Sequence, residues 1–151
     1  MKIEEANQHD VLRLIELAGW MYEESPRHRK TEMDAERVYN FLSYLIGSPT
    51  GIVMVARDDE HGIVGGFVGG VEQQWYSVDS YLYELTFFIH PDFRKGRLAI
   101  KLMRAAFAKG KELGAVECVM ANSTNVQSER VEALYQYVGM TRIGGVHVMD
   151  L

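Results

Sequence analysis

The stretch that decides the fold is Ile89-His90-Pro91-Asp92-Phe93-Arg94-Lys95-Gly96-Arg97-Leu98-Ala99-Ile100-Lys101-Leu102-Met103. An apolar strand running to Ile89 stops at Pro91, crosses a short basic turn and enters a helix. Such a junction makes an anion site. The first backbone N–H groups of a helix lack intrahelical partners, and the helix dipole adds partial positive charge there. A diphosphate fits that site. Along the helix, Arg97, Lys101, Arg104 and Ala108 share one face, while Leu98, Ala99, Leu102, Met103 and Ala106 share the other. One face packs and the other is basic.

The rest of the chain reads outward from this junction. Lys2–Glu5 forms a first strand, and Asp10 opens an amphipathic helix on Val11, Leu14, Ile15, Ala18, Met21 and Tyr22 that fails near Ser25-Pro26. A polar loop, Glu23–Glu32, leads to a second helix over Asp34–Ile46, with Val38, Phe41, Leu42 and Leu45 on one face and Gly47 as its stop. The apolar run Ile52–Ala56, the turn Asp58–Gly62 and the run Ile63–Val71 predict a hairpin. Tyr81–Ile89 is a third long strand. After the helix Arg97–Leu113 come a strand over 115–121, a loop holding Asn122 and Asn125, a helix Gln127–Val138, and terminal strands at Met140–Ile143 and Val146–Met149. The pairs Gly65-Gly66 and Gly69-Gly70 fall inside a strand with no helix following, so they predict bulges or close packing rather than a phosphate loop.

Length and composition fit one domain over residues 1–151, with 47% hydrophobic and 25% charged residues. A formal net charge of −5 argues against a general nucleic-acid binder but permits a phosphorylated small molecule on a local basic patch. The five histidines are scattered without metal-ligand spacing, so no metal is expected. A single cysteine, Cys118, lies in an apolar strand and reads as a small hydrophobe. The start of the chain lacks a signal-peptide core, and no apolar run is long enough to span a bilayer; the expectation is a cytoplasmic protein without membrane association.

The element order, the turn Pro91–Ala99 and the helix ending Leu134-Tyr135-Gln136-Tyr137-Val138-Gly139-Met140 together resemble the GNAT family of N-acetyltransferases. The likeness covers nearly the whole chain. The family's turn reads Arg/Gln-x-x-Gly-x-Gly/Ala; here its central glycine falls at Arg97, and Gly96 sits one place earlier to supply the tight conformation. Ser128 stands where many members have asparagine. The resemblance implies an α/β (α+β) fold: a twisted, mixed, mostly antiparallel sheet with helices on both faces and a V-shaped splay between its fourth and fifth strands.

The resemblance also implies a chemistry. Acetyl-CoA would lay its diphosphate on Arg94, Lys95, Gly96, Arg97, Leu98 and Ala99, with Lys101 nearby. Its pantetheine arm would pair with Phe87, Phe88 and Ile89, and with Asn122 or Asn125 at the end of the diverging strand. Glu84 matches a catalytic glutamate found in several members; it would take the proton of an amine whose pKa is about 10.4. Tyr135 matches the family's acid for the departing thiolate, and the backbone N–H of about Phe88 would polarise the thioester. A surface glutamate and a core tyrosine are the plain alternatives for these two side chains.

Acceptor recognition is expected from Tyr22, Glu23, Glu24, Arg27 and His28 on the first loop and from Trp75 and Tyr76 on the second, as acidic and aromatic groups suited to a cationic amine. The expected activity is direct acetyl transfer from acetyl-CoA to a primary amine, on a small molecule or a protein. The competing reading is a non-catalytic acyl-CoA-binding or sensory module of the same fold. Members of the family are often homodimers.

Overall fold

The computed structural model describes residues 1–151 and contains one five-stranded sheet in the order β1-β2-β3-β4-β5. Its strands are β1 (Lys2–Glu5), β2 (Gly51–Asp58), β3 (Gly62–Gln73), β4 (Ser80–Ile89) and β5 (Ala115–Val119). The first four pair antiparallel, and β5 joins β4 in parallel. Four α-helices complete the chain: α1 (Val11–Glu24), α2 (Ala35–Gly47), α3 (Leu98–Glu112) and α4 (Ser128–Tyr137).

The unbroken apolar runs of β2 and β3 follow from burial on both faces of the sheet. Ile52, Met54 and Ala56 of β2 meet Leu98, Leu102 and Ala106 of α3 on one face. Val53 and Val55, pointing the other way, meet Leu14 and Leu17 of α1 and Leu42 and Leu45 of α2. At the sheet's far end, Arg57 bridges Glu4 (2.6 Å) and the buried Asp10 (2.9 Å), tying β1 and the start of α1 to β2. Asp34 caps α2 through the Arg37 N–H at 3.0 Å. Gly47, expected as the stop of α2, is its last residue; extended Ser48 ends it.

Two local irregularities shape β4. Val68 pairs with Thr86, but Gly69 pairs with Glu84, so Leu85 is an extra residue that bulges the strand. The bulge needs Gly69, because a Cβ there would stand 2.0 Å from the carbonyl oxygen of Tyr83. The paired glycines are thus close-packing positions, as the sequence suggests. Further along, β5 pairs only with Ser80–Tyr83, leaving Glu84–Ile89 of β4 without a neighbour on that side. The sheet splays there, between the fourth and fifth strands.

The expected terminal strands at 140–143 and 146–149 do not form. After the left-handed Gly139 (φ +97°), Met140–Leu151 makes no ladder. The segment does not pair with the open outer edge of β5, where the sheet ends, and Ile143, Val148 and Met149 remain exposed. A strand is stabilised by its cross-strand pairs, and alternating composition alone does not supply them. An ion pair from Lys30 to Asp150 (3.0 Å) holds the end of the segment. No helix is long and apolar enough to cross a membrane.

Candidate active site

A slot of about 220 Å³ occupies the splay. Phe87, Phe88 and Ile89 of β4 form one wall, and Val131 and Leu134 of α4 with Val126 form the other. Gly96, Ala99 and Ile100 at the start of α3 form its mouth, and Met21 and Glu24 of α1 its roof. The roof is stitched down: the buried Ser25 hydroxyl donates to Thr124 O (2.7 Å), and Arg27 donates to Ser123 O (3.2 Å).

The mouth presents open backbone amides. Gly96 takes the left-handed conformation (φ +82°), so the turn is made one residue before the position of the family's usual glycine. Arg97 precedes the first helical residue, and no side chain caps the helix. The first intrahelical bond to Arg97 O comes from Lys101 N, so the preceding amides at the helix start face outward, free to donate. Lys95, Arg97 and Lys101 are exposed around this end and do not line the slot, while the Leu98 side chain is buried in the core.

Strand geometry corrects the expected amide donor. His90 N donates to Val64 O, on β3; by alternation Phe88 also faces β3, and the amide groups of Phe87 and Ile89 face the slot. Phe88 N–H is therefore committed to the ladder. The expected asparagines do not line the slot, although the buried Oδ1 of Asn122 has no hydrogen-bond partner. Asn122 donates to Ser128 O (2.9 Å) and Glu132 (3.2 Å), and Asn125 is exposed in a left-handed turn (φ 57°).

Glu84 and Tyr135 come together where the strands part. The Ala121 N–H donates to Glu84 at 3.4 Å, and the Tyr135 hydroxyl donates to Ala121 O at 3.4 Å. Burial raises the Glu84 carboxyl to about 7 against the opposing effect of the Ala121 hydrogen bond. Burial pushes the Tyr135 hydroxyl well up, and the charge of Glu84 adds to that shift. Cys118 is pushed up to about 12, chiefly by burial, so it stays a thiol. No group of three His, Cys, Asp or Glu side chains is placed to hold a metal ion.

On the other side of β4 lies a larger cavity of about 800 Å³. Leu14, Leu17, Ala18 and Met21 of α1, Val38, Phe41 and Leu42 of α2, and Val68, Leu85, Thr86 and Phe88 of the sheet line it, with Asp34, Glu36 and Arg37 among its polar groups. It shares Met21 and Phe88 with the slot. None of the residues expected to recognise the acceptor lines this cavity. Tyr22 and Glu23 face a separate depression with Trp20 and Glu32, and Tyr22 donates to Thr31 O (2.5 Å). Arg27 is bonded to the β5–α4 loop, and His28, its pKa lowered by burial, sits in the turn after it. Trp75 and Tyr76 stack edge to face on the exposed β3–β4 connection. The cavity was missed because Phe41 and Leu85 look like ordinary core residues in sequence; the bulge is what brings Leu85 to its wall.

The fold and the slot define an acyl-transferase architecture of the GNAT type. Residues 14–140 match the family model described as Acetyltransferase (GNAT) family, and the chain belongs to that family. Among solved structures it is similar to AAC(6')-Iy in complex with the bisubstrate analogue CoA-S-monomethyl-acetylneamine (TM-score 0.80, 14% identity, 99% of this chain and 97% of that one). It is also similar to the aminoglycoside 6'-N-acetyltransferase AAC(6')-IG from Acinetobacter haemolyticus (TM-score 0.75, 14% identity, coverage 100% and 98%). A third is an aminoglycoside acetyltransferase from an uncultured soil metagenomic sample in complex with sisomicin (TM-score 0.73, 21% identity, coverage 99% and 95%). No curated protein sequence matches the chain.

Proposed function

We propose that this acetyltransferase moves an acetyl group from acetyl-CoA directly to the primary amine of a small molecule with an apolar body. The observation that carries this reading is the splay, with open amides at the mouth of its slot and, where β4 and β5 part, Glu84 and Tyr135 brought together through Ala121, although neither side chain lines the slot itself. Here the coenzyme's diphosphate meets the start of α3, and its arm runs along the slot-facing amides of Phe87 and Ile89. The acceptor enters from the cavity between α1, α2 and the bulge. Its carbon frame lies against Phe41 and Leu85, and Glu36 contributes negative charge at the rim.

In the reaction, Glu84 takes a proton from the bound ammonium, and the nitrogen attacks the thioester carbon. The new C–N bond forms and the C–S bond breaks, while a slot-facing amide N–H of β4 holds the developing oxyanion. Tyr135 supplies the proton for the departing sulfur and recovers one from Glu84, while the second proton of the attacking nitrogen leaves to bulk water, so that one proton is released per turnover. The coupling between the two groups favours this order. Burial is the main cause of the raised Tyr135 hydroxyl, and once Glu84 is neutral its added contribution is removed.

A thiol-release assay over a panel of amines tests the reading. Phenethylamine and similar arylalkylamines should be turned over with a higher kcat/KM than sisomicin. Turnover of sisomicin alone would overturn the assignment of the apolar cavity as the acceptor site.

A further inference from the structure

One ion pair crosses the slot, joining residues 70 apart in sequence. Arg94 presents both terminal nitrogens to the two oxygens of Glu24, each at 2.5 Å. Its Nε donates to Ile89 O at 2.7 Å, and its guanidinium lies 5.3 Å from the centre of the Phe88 ring. Arg130 donates to the Arg94 carbonyl (2.7 Å) and fixes the backbone beneath it. All three nitrogens of the Arg94 guanidinium are therefore engaged, through three of its five N–H donors. Glu24 ends α1, and its carboxyl is held below the usual range by Arg94.

The arrangement conflicts with an occupied slot. Ile89 O is a slot-facing acceptor on the unpaired edge of β4, the group an amide-bearing arm would use, and Arg94 already fills it. A fork of charge-assisted hydrogen bonds is released readily only to another anion of matching geometry. We propose that Glu24 and Arg94 form a latch on the slot, opened when the diphosphate of the incoming coenzyme replaces Glu24 as the counter-ion of Arg94 and its arm replaces Arg94 at Ile89 O. Glu24 is then a positioning residue that sets the threshold for entry. Arg94 selects ligands that carry a diphosphate over those that carry the arm alone. This inference rests on the reading of the slot as a coenzyme A site.

Calorimetric titration with CoA and with pantetheine tests it, using Glu24→Gln, Arg94→Lys, Arg94→Gln and the Glu24→Gln/Arg94→Gln double variant. Glu24→Gln is isosteric and should bind both ligands about tenfold more tightly, the scale of one lost charge-assisted contact. Arg94→Lys, which keeps the charge but loses the fork, should also bind CoA more tightly than the wild type. Arg94→Gln should narrow the preference for CoA over pantetheine by about tenfold, and Glu24→Gln should add nothing in that background. A merely structural pair would give weaker binding in every variant, with equal effects of Glu24→Gln in both backgrounds; that result would overturn the latch. If the folded wild type binds neither ligand, the reading of the slot itself fails. If it binds CoA and Glu24→Gln does not tighten that binding, the latch alone fails.

Discussion

Replacing Glu84 by glutamine separates chemistry from packing at the proposed base. Burial raises this carboxyl from 4.5 to about 7, a shift of about 2.5 pH units, or about 3 kcal/mol in favour of the neutral form. At pH 7 about half the molecules hold the carboxylate that can accept a proton, and at pH 6 about one in ten. An amine of pKa about 10.4 is only about one part in 2,500 neutral at pH 7, so a base that works on the ammonium form has a large advantage. Wild-type kcat/KM should therefore fall tenfold per pH unit below about 7 and stay level between 7 and 9. Glu84→Gln should lose about 10²–10³ at pH 7 and regain about tenfold per unit toward pH 9, as free amine accumulates. The same substitution has a stability signature of opposite sign. A carboxyl raised in the folded state binds a proton that the unfolded chain has released, so wild-type stability declines as pH rises from 4.5 to about 7. Glu84→Gln removes that decline, and urea unfolding at pH 8 should show a variant more stable by about 1–3 kcal/mol. The reasoning is refuted if the thiol-release profile of Glu84→Gln runs parallel to the wild type from pH 5.5 to 9.

Tyr135→Phe should lower kcat about tenfold or more with the CoA affinity unchanged, measured by steady-state kinetics beside calorimetry; the hydroxyl touches only Ala121 O at 3.4 Å, so the fold should tolerate its loss. Gly69→Ala places a methyl 2.0 Å from a backbone oxygen that cannot move without disturbing the bulge. It should cost about 2–4 kcal/mol in urea unfolding and abolish transfer by shifting Glu84 and Leu85, whereas the exposed Gly144→Ala should be neutral.

The parts of the molecule written in local chemistry were legible in the sequence. The α3 junction was, because Pro91, Gly96 and the switch from a strand run to helical spacing each mark a backbone state. The two-sided core of β2 was too, because alternate residues serve opposite faces of one uninterrupted apolar run. What escaped depends on partners. Met140–Leu151 has the residues of two strands but docks on neither open edge of the sheet, and strand formation is decided by that pairing. Phe88 lost its expected role through strand parity, which a sequence fixes only once the register with Val64 is known. Asn122 was drawn to Ser128 and Glu132, and Glu24 to Arg94, by contacts formed when α1, α4 and the loops converge on the splay. Phe41 and Leu85 show the same limit, since the cavity they line exists only where two helices diverge over a bulge.

The central claim is that the slot, with the open amides at its mouth, holds the coenzyme. Residue-resolved amide hydrogen exchange with and without CoA tests it most directly. CoA should slow exchange at Phe87 and Ile89 and across Gly96–Ile100, with Gly51–Asp58 unchanged. Saturating CoA that protects another surface and leaves those amides exchanging as in the free protein would contradict the account.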